Sequence, residues 1–173
     1  LTQLALNGMT HLESLDCENN QITALQLSSA TSLKKLLCAG NKISKLNLEK
    51  LAGLQRLSCA DNQLEELDLS HSNNLLNLNC ANNRLKGITL ADNMPLVQLN
   101  ALNNQIESLT LEQLPQLQRL NLSQNKLTTL DLRHNTALES LNLSNNSLTQ
   151  LQMDKMEQIQ EFIISNNKLQ AID

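Results

Sequence analysis

Asparagine stands at Asn20, Asn41, Asn62, Asn83, Asn104, Asn125, Asn146 and Asn167, every 21 residues for eight copies with no insertion or deletion. A spacing held that strictly demands that each copy meet the same surroundings. Only a stack of equivalent turns supplies one environment repeatedly, so the chain must be a solenoid in which each unit contacts its neighbours. The apolar residues around the Asn repeat with it. Leu12, Leu15, Cys17, Ile22, Leu25 and Leu27 of one unit become Leu33, Leu36, Cys38, Ile43, Leu46 and Leu48 of the next.

In each unit the segment before the Asn alternates apolar and polar, which predicts a short strand with leucines inward and the intervening residues outward. Stacked units then form a parallel sheet with rungs about 4.8 Å apart, and equivalent residues line up in columns. About six aliphatic side chains per unit turn inward, at roughly 1.5–3 kcal/mol each, and this offsets the ordering entropy only when neighbours stack on both sides. A single unit would not fold.

The signature L-x-x-L-x-L-x-x-N-x-L is matched by Leu117, Leu120, Leu122, Asn125 and Leu127, and with Cys at its sixth position by Leu54, Leu57, Cys59, Asn62 and Leu64. The chain thereby resembles the leucine-rich-repeat family along essentially its whole length. The 21-residue unit, the Cys and turns such as Asp68-Leu69-Ser70-His71 and Asp131-Leu132-Arg133-His134-Asn135 are most similar to the internalin J-like bacterial subclass. Ala101, Leu122, Leu143 and Ile164 replace the Cys in the later units, a departure from a full cysteine ladder. The resemblance implies a curved right-handed superhelix with a concave parallel β-sheet and short extended or 3-10 segments on the convex side. It also implies non-catalytic recognition of a protein or glycan, and a secreted or bacterial cell-surface location, with a cytoplasmic one open. Residues 1–173 are expected to form one domain and a monomer. Leu1, Leu4 and Leu6 match the second half of a unit and the chain stops inside another at Ile172-Asp173, so a piece of a longer array is expected.

Other classes are disfavoured by composition. Against 13 basic residues stand 17 acidic ones, for a net charge of −4, and the charges are scattered, so nucleic acid is not an expected partner. No apolar run approaches the roughly 20 residues that span a bilayer, so no membrane insertion is expected. Cys17, Cys38, Cys59 and Cys80 fall in one inward column, and side chains that point the same way on consecutive rungs are badly placed for a disulfide. Four sulfurs in a line cannot close a tetrahedron on zinc, so they read as buried free thiols, and neither metal nor cofactor is expected. His11, His71 and His134 fall in the outer loops with no shared carboxylate or Cys cluster, and the cysteines point inward, so no Ser/His/Asp or Cys/His set converges and no catalytic residue is assigned. Pro95 and Pro115 share the same connecting region, where a missing N–H is harmless.

The repeated Asn itself has a structural explanation: an inward amide at the corner after the strand satisfies backbone groups that water cannot reach. The candidate binding surface is the concave face. Its first outward column reads Ser14, Lys35, Arg56, Asn77, Gln98, Arg119, Ser140 and Glu161, its second Asp16, Leu37, Ser58, Asn79, Asn100, Asn121, Asn142 and Ile163, and its third Glu18, Ala39, Ala60, Ala81, Leu102, Ser123, Ser144 and Ser165. From these the candidate site is Lys35, Leu37, Arg56, Asn79, Asn100, Leu102, Arg119, Asn121 and Asn142. The four asparagines form an amide ladder that either bonds along itself, rung to rung, or grips polar ligand groups. No aromatic residue lies on this face, although interface anchors favour them. Two further readings follow: the recognition arm of a bacterial effector enzyme whose catalytic domain lies elsewhere, and a structural spacer.

Overall fold

The computed structural model describes residues 1–172. Three-residue strands Ser14–Asp16, Lys35–Leu37, Arg56–Ser58, Asn77–Asn79, Gln98–Asn100, Arg119–Asn121, Ser140–Asn142 and Glu161–Ile163 pair in chain order into one eight-stranded parallel sheet. Each pairing aligns residues 21 apart, as in Arg119 with Gln98 on one side and with Ser140 on the other. Hence the three outward columns read from the repeat stand in the register expected of them. The fold is the predicted solenoid, with no helix among the described residues.

The middle residue of each strand and its aliphatic neighbours make a continuous core; in the second rung Leu33, Leu36, Cys38, Ile43, Leu48 and Leu51 are all buried. At the two ends Leu12, Leu15 and Ile159 are only half-buried and Phe162 is 38% exposed, because each lacks a rung on one side.

Past the strand, one residue per rung takes the left-handed conformation: Asn19, Gly40, Asp61, Asn82, Asn103, Gln124, Asn145 and Asn166, with φ between 53° and 66°. That backbone disfavours most side chains and explains the Asn, Asp or Gly found there in all rungs but one. The next residue is the ladder Asn. Asn41 is typical: its Nδ2 donates to the carbonyls of Cys17, Cys38 and Ala39 at 3.0–3.2 Å, and its Oδ1 accepts from the Ile22 N–H at 2.9 Å. One side chain therefore stitches two rungs, as the sequence predicted.

The convex side is less regular. Its strands form three separate two-stranded patches, Leu4–Ala5 with Leu25–Gln26, Asp68–Leu69 with Thr89–Leu90, and Thr129–Asp131 with Gln150–Gln152. Where 3-10 segments were expected, paired single turns occur, such as Leu51 N–H to Leu48 C=O followed by Leu54 N–H to Leu51 C=O. The two prolines differ here. Pro115 follows the first residue of its turn, a position whose φ proline already satisfies, and the Leu117 N–H to Leu114 C=O bond closes. Pro95 sits one residue later, where proline forces its predecessor out of the helical region. The corresponding bonds are absent, Asn93 turns left-handed, and Met94 rather than residue 93 fills the core.

Candidate functional site: the concave wall

Every candidate residue sits where its column predicted. Lys35, Arg56 and Arg119 occupy the first position of their strands and Leu37, Asn79, Asn100, Asn121 and Asn142 the third; Leu102 lies two residues beyond its strand. Arg56 and Arg119 are exposed, and the other seven are half-buried. The third column is only partly available, since Ala60, Ala81, Ser123 and Ser144 are buried. Their side chains are small and the column lies in the crease where the chain turns from the sheet toward the left-handed residue. Leu102 is the one large aliphatic side chain there.

Of the two expectations for the exposed amide ladder, bonding along itself from rung to rung does not occur. The Oδ1 atoms of Asn79, Asn100, Asn121 and Asn142 accept the backbone N–H two residues on, from Ala81, Leu102, Ser123 and Ser144, at 3.0–3.3 Å. The hydroxyls of Ser123 and Ser144 add bonds of 2.6 and 2.8 Å to the same oxygens. Asp16 does the same for the Glu18 N–H in the first rung. This is the Asx turn that Asn and Asp side chains favour. It fixes the orientation of each amide, taking one bond at the Asn79 and Asn100 Oδ1 atoms and two at those of Asn121 and Asn142, while the four Nδ2 groups have no acceptor among the described residues.

Rung-to-rung amide pairing does occur, but in the left-handed column: Asn82 donates to Asp61 at 2.8 Å, Asn103 to Asn82 at 3.0 Å, and Asn166 to Asn145 at 2.9 Å. The Asn-Asn doublets of the sequence signalled this column, yet its geometry emerges only from the backbone.

Charge is sorted across the wall. In rungs two to seven its three columns hold Lys35, Arg56 and Arg119 and no acidic residue; Asp16, Glu18 and Glu161 stand in the end rungs, from which the Glu18 carboxylate accepts from the Ser58 hydroxyl at 3.2 Å and that of Glu161 from the Ser140 hydroxyl at 2.7 Å. Among the described residues Lys35 and Arg56 have no ion pair, and Arg119 lies 4.0 Å from Glu139, the residue before the next strand.

The thiols behind the wall are free and buried. Burial pushes the Cys17 thiol up to about 11, with help from Asp16 and Glu18, and pushes Cys80 up to about 12. Cys38 and Cys59 are raised by the same burial and by neighbouring thiols. Such groups stay protonated and act as small apolar side chains. His11, His71 and His134 are exposed on convex turns. A cavity of about 700 Å³ opens on that side between the second and third rungs, lined in part by Lys45, Glu49, Glu65, Glu66, Asp68 and His71. It marks the place where convex strand pairing lapses, and it holds none of the candidate residues.

With this geometry, the family described as "Leucine Rich repeats (2 copies)" matches residues 115–153. The chain belongs to the leucine-rich-repeat family. Among solved structures it is similar to the functional domain of InlJ from Listeria monocytogenes, which includes a cysteine ladder, at 29% identity over 99% of this chain and 48% of that one, TM-score 0.65. It is similar also to a leucine-rich-repeat protein of Leptospira interrogans, at 30% identity over 95% of this chain and 46% of that one, TM-score 0.80. A third is YopM, a leucine-rich effector protein from Yersinia pestis, at 32% identity over 94% of this chain and 46% of that one, TM-score 0.82. This chain spans about half the length of each or slightly less. No curated protein matches the sequence. The likeness to InlJ includes the ladder itself: Cys17, Cys38, Cys59 and Cys80 stack in one column of this leucine-rich-repeat chain.

Proposed function

We propose that this chain is a non-catalytic recognition module that binds a macromolecular partner, protein or glycan, through the concave wall. Leucine-rich-repeat folds typically mediate protein recognition. The observation that carries the reading is that the wall displays groups the fold does not need: four amide donors without acceptors, two cations without ion pairs, and the half-buried Leu37 and Leu102. The resemblance to InlJ supports display on a bacterial surface or secretion. The likeness to the Yersinia effector supports a second setting for the same wall, as the recognition arm of a secreted effector.

The test is a double variant, Arg119→Glu with Leu102→Glu, immobilised beside the wild type and challenged with host-cell and envelope extracts. Species retained by the wild type should fall at least about tenfold on the variant, with the urea midpoint of unfolding unchanged. Equal retention would move the site off this wall, and no specific retention by either protein would favour a spacer.

A further inference from the structure

Building on the concave-wall reading, we infer that the fourth and fifth rungs form a site for an uncharged, extended segment of a partner protein, held by its peptide groups. These two rungs alone carry amides at both outward positions of the strand: Asn77 and Asn79 in one, Gln98 and Asn100 in the other. No charged residue stands in their three columns, and the nearest charges in the first column, Arg56 and Arg119, are each one rung outside the block. Asn79 and Asn100 each accept one backbone N–H at 3.3 Å, while Asn77 and Gln98 make no side-chain hydrogen bond among the described residues. The fold does not ask for these last two amides, since their column elsewhere holds Ser, Lys, Arg or Glu.

The same two rungs have an apolar rim. The residue before the strand is Leu76 in the fourth rung and Val97 in the fifth, where the remaining rungs hold Glu, Lys or Gln. Leu76 is 37% exposed, and the other exposed large apolar side chains among the described residues, Leu1, Met9, Phe162 and Ile172, lie toward the chain ends. This column borders the wall, because Glu139 at the equivalent place reaches the Arg119 guanidinium at 4.0 Å. On the far side of the block, Leu102 is half-buried in the crease.

A free amide offers a donor and an acceptor together. The groups that answer both are another amide and a hydroxyl, and the aliphatic rim favours a peptide with its apolar side chains over a glycan. Peptide groups in a helix are bonded internally, whereas an extended segment has an edge of free N–H and C=O groups. Spacing agrees. Along such an edge residues i and i+2 face the same way about 7 Å apart, as do Asn77 and Asn79, or Gln98 and Asn100, within their own strands. A segment laid along the strands with its edge to the wall therefore stays in step with the amides. Val97 and Leu102 are five positions apart, so about six residues bring the ends of the segment over the rim. A charged side chain there would lose water without gaining a partner.

The sequence supplies its own controls. Ser occupies the column of Asn77 and Gln98 at Ser14 and Ser140, and Gln occupies that of Leu76 and Val97 at Gln55 and Gln118. Asn77→Ser with Gln98→Ser, and Leu76→Gln with Val97→Gln, should therefore leave the urea midpoint unchanged. The experiment titrates the isotope-labelled chain with the capped peptide Leu-Val-Ser-Thr-Val-Leu and follows the side-chain amide signals by NMR. The same peptide methylated on its Ser and Thr backbone nitrogens, and the neutral glycan cellohexaose, are measured beside it. The peptide should shift the Asn77, Asn79, Gln98 and Asn100 signals, and the methylated form and each double variant should weaken binding about tenfold or more. Equal binding of the methylated peptide, no loss in either double variant, or shifts confined to other residues would overturn the inference. Shifts with cellohexaose and none with the peptide would also overturn it and give the block to a glycan. If neither binds while retention from extracts still depends on Arg119 and Leu102, the inference falls and the recognition reading stands; insensitivity there as well would remove both.

Discussion

Two columns of asparagine run along this solenoid four residues apart, and they do opposite things. At the corner, Asn104 is buried, donates to the carbonyls of Cys80, Ala101 and Leu102, and accepts the Leu85 N–H. On the wall, Asn100 is half-buried, caps a single N–H and leaves its amino group free. Side-chain chemistry is identical, so the difference lies in what the backbone lacks nearby. The corner has groups on two rungs that neither sheet nor water reaches, whereas the wall has one N–H per rung and a face open to a partner. An amide that is fully used holds the fold together, and one that is half used is available for recognition.

The largest expected effect that tests this contrast is Asn104→Asp. A carboxylate would face three carbonyl oxygens in a buried site, and a loss of about 4 kcal/mol or more, up to failure to fold, is expected in urea denaturation. Asn100→Asp keeps its single bond and should lie within about 0.5 kcal/mol of the wild type. Truncation gives the next step: Asn104→Ala should cost roughly 2–4 kcal/mol through unsatisfied buried groups, Asn100→Ala less than about 1 kcal/mol. Equal shifts would mean that the two columns are not distinct.

The thiols whose carbonyls serve the corner amides give a pH test. Their folded pKa values are raised, so the folded chain keeps protons that an unfolded one releases from about pH 9 upward. Stability is fully present below about pH 9 and should fall as pH climbs through the Cys17 value of about 11 and the Cys80 value of about 12. Cys59→Ala with Cys80→Ala should flatten the decline measured by urea midpoint, and an identical slope would count against burial as its cause.

The smallest effect concerns the left-handed column. A Cβ at Gly40, with φ of 66°, would meet Asn19 Oδ1 at 2.6 Å. Gly40→Ala should cost roughly 1–2 kcal/mol for its left-handed backbone. Gly40→Asn should lie within about 0.5 kcal/mol of the wild type, because it can bond to Asn19 as Asn103 does to Asn82. Thermal unfolding separates the two.

The sequence made the wall legible to the residue, because a strict period of 21 puts equivalent side chains in one column once any strand is assumed. It likewise exposed the corner amide, the buried thiols and the exposed histidines. It misjudged the third column, where small residues such as Ala81 and Ser144 are covered, since outward direction does not guarantee access at a crease. Pro95 and Pro115 looked equivalent in sequence, and a shift of one place within the turn made one harmless and the other disruptive.

The repeat alone determined the architecture, the register and the identity of the core, because these depend on the period and on which positions are apolar. Only the tertiary structure decided what each asparagine does. Which backbone N–H and C=O groups are left without partners is settled when rung meets rung, and the Asn79, Asn100, Asn121 and Asn142 amides take their orientation from that local shortage. The free donors on the wall are what that bonding leaves over.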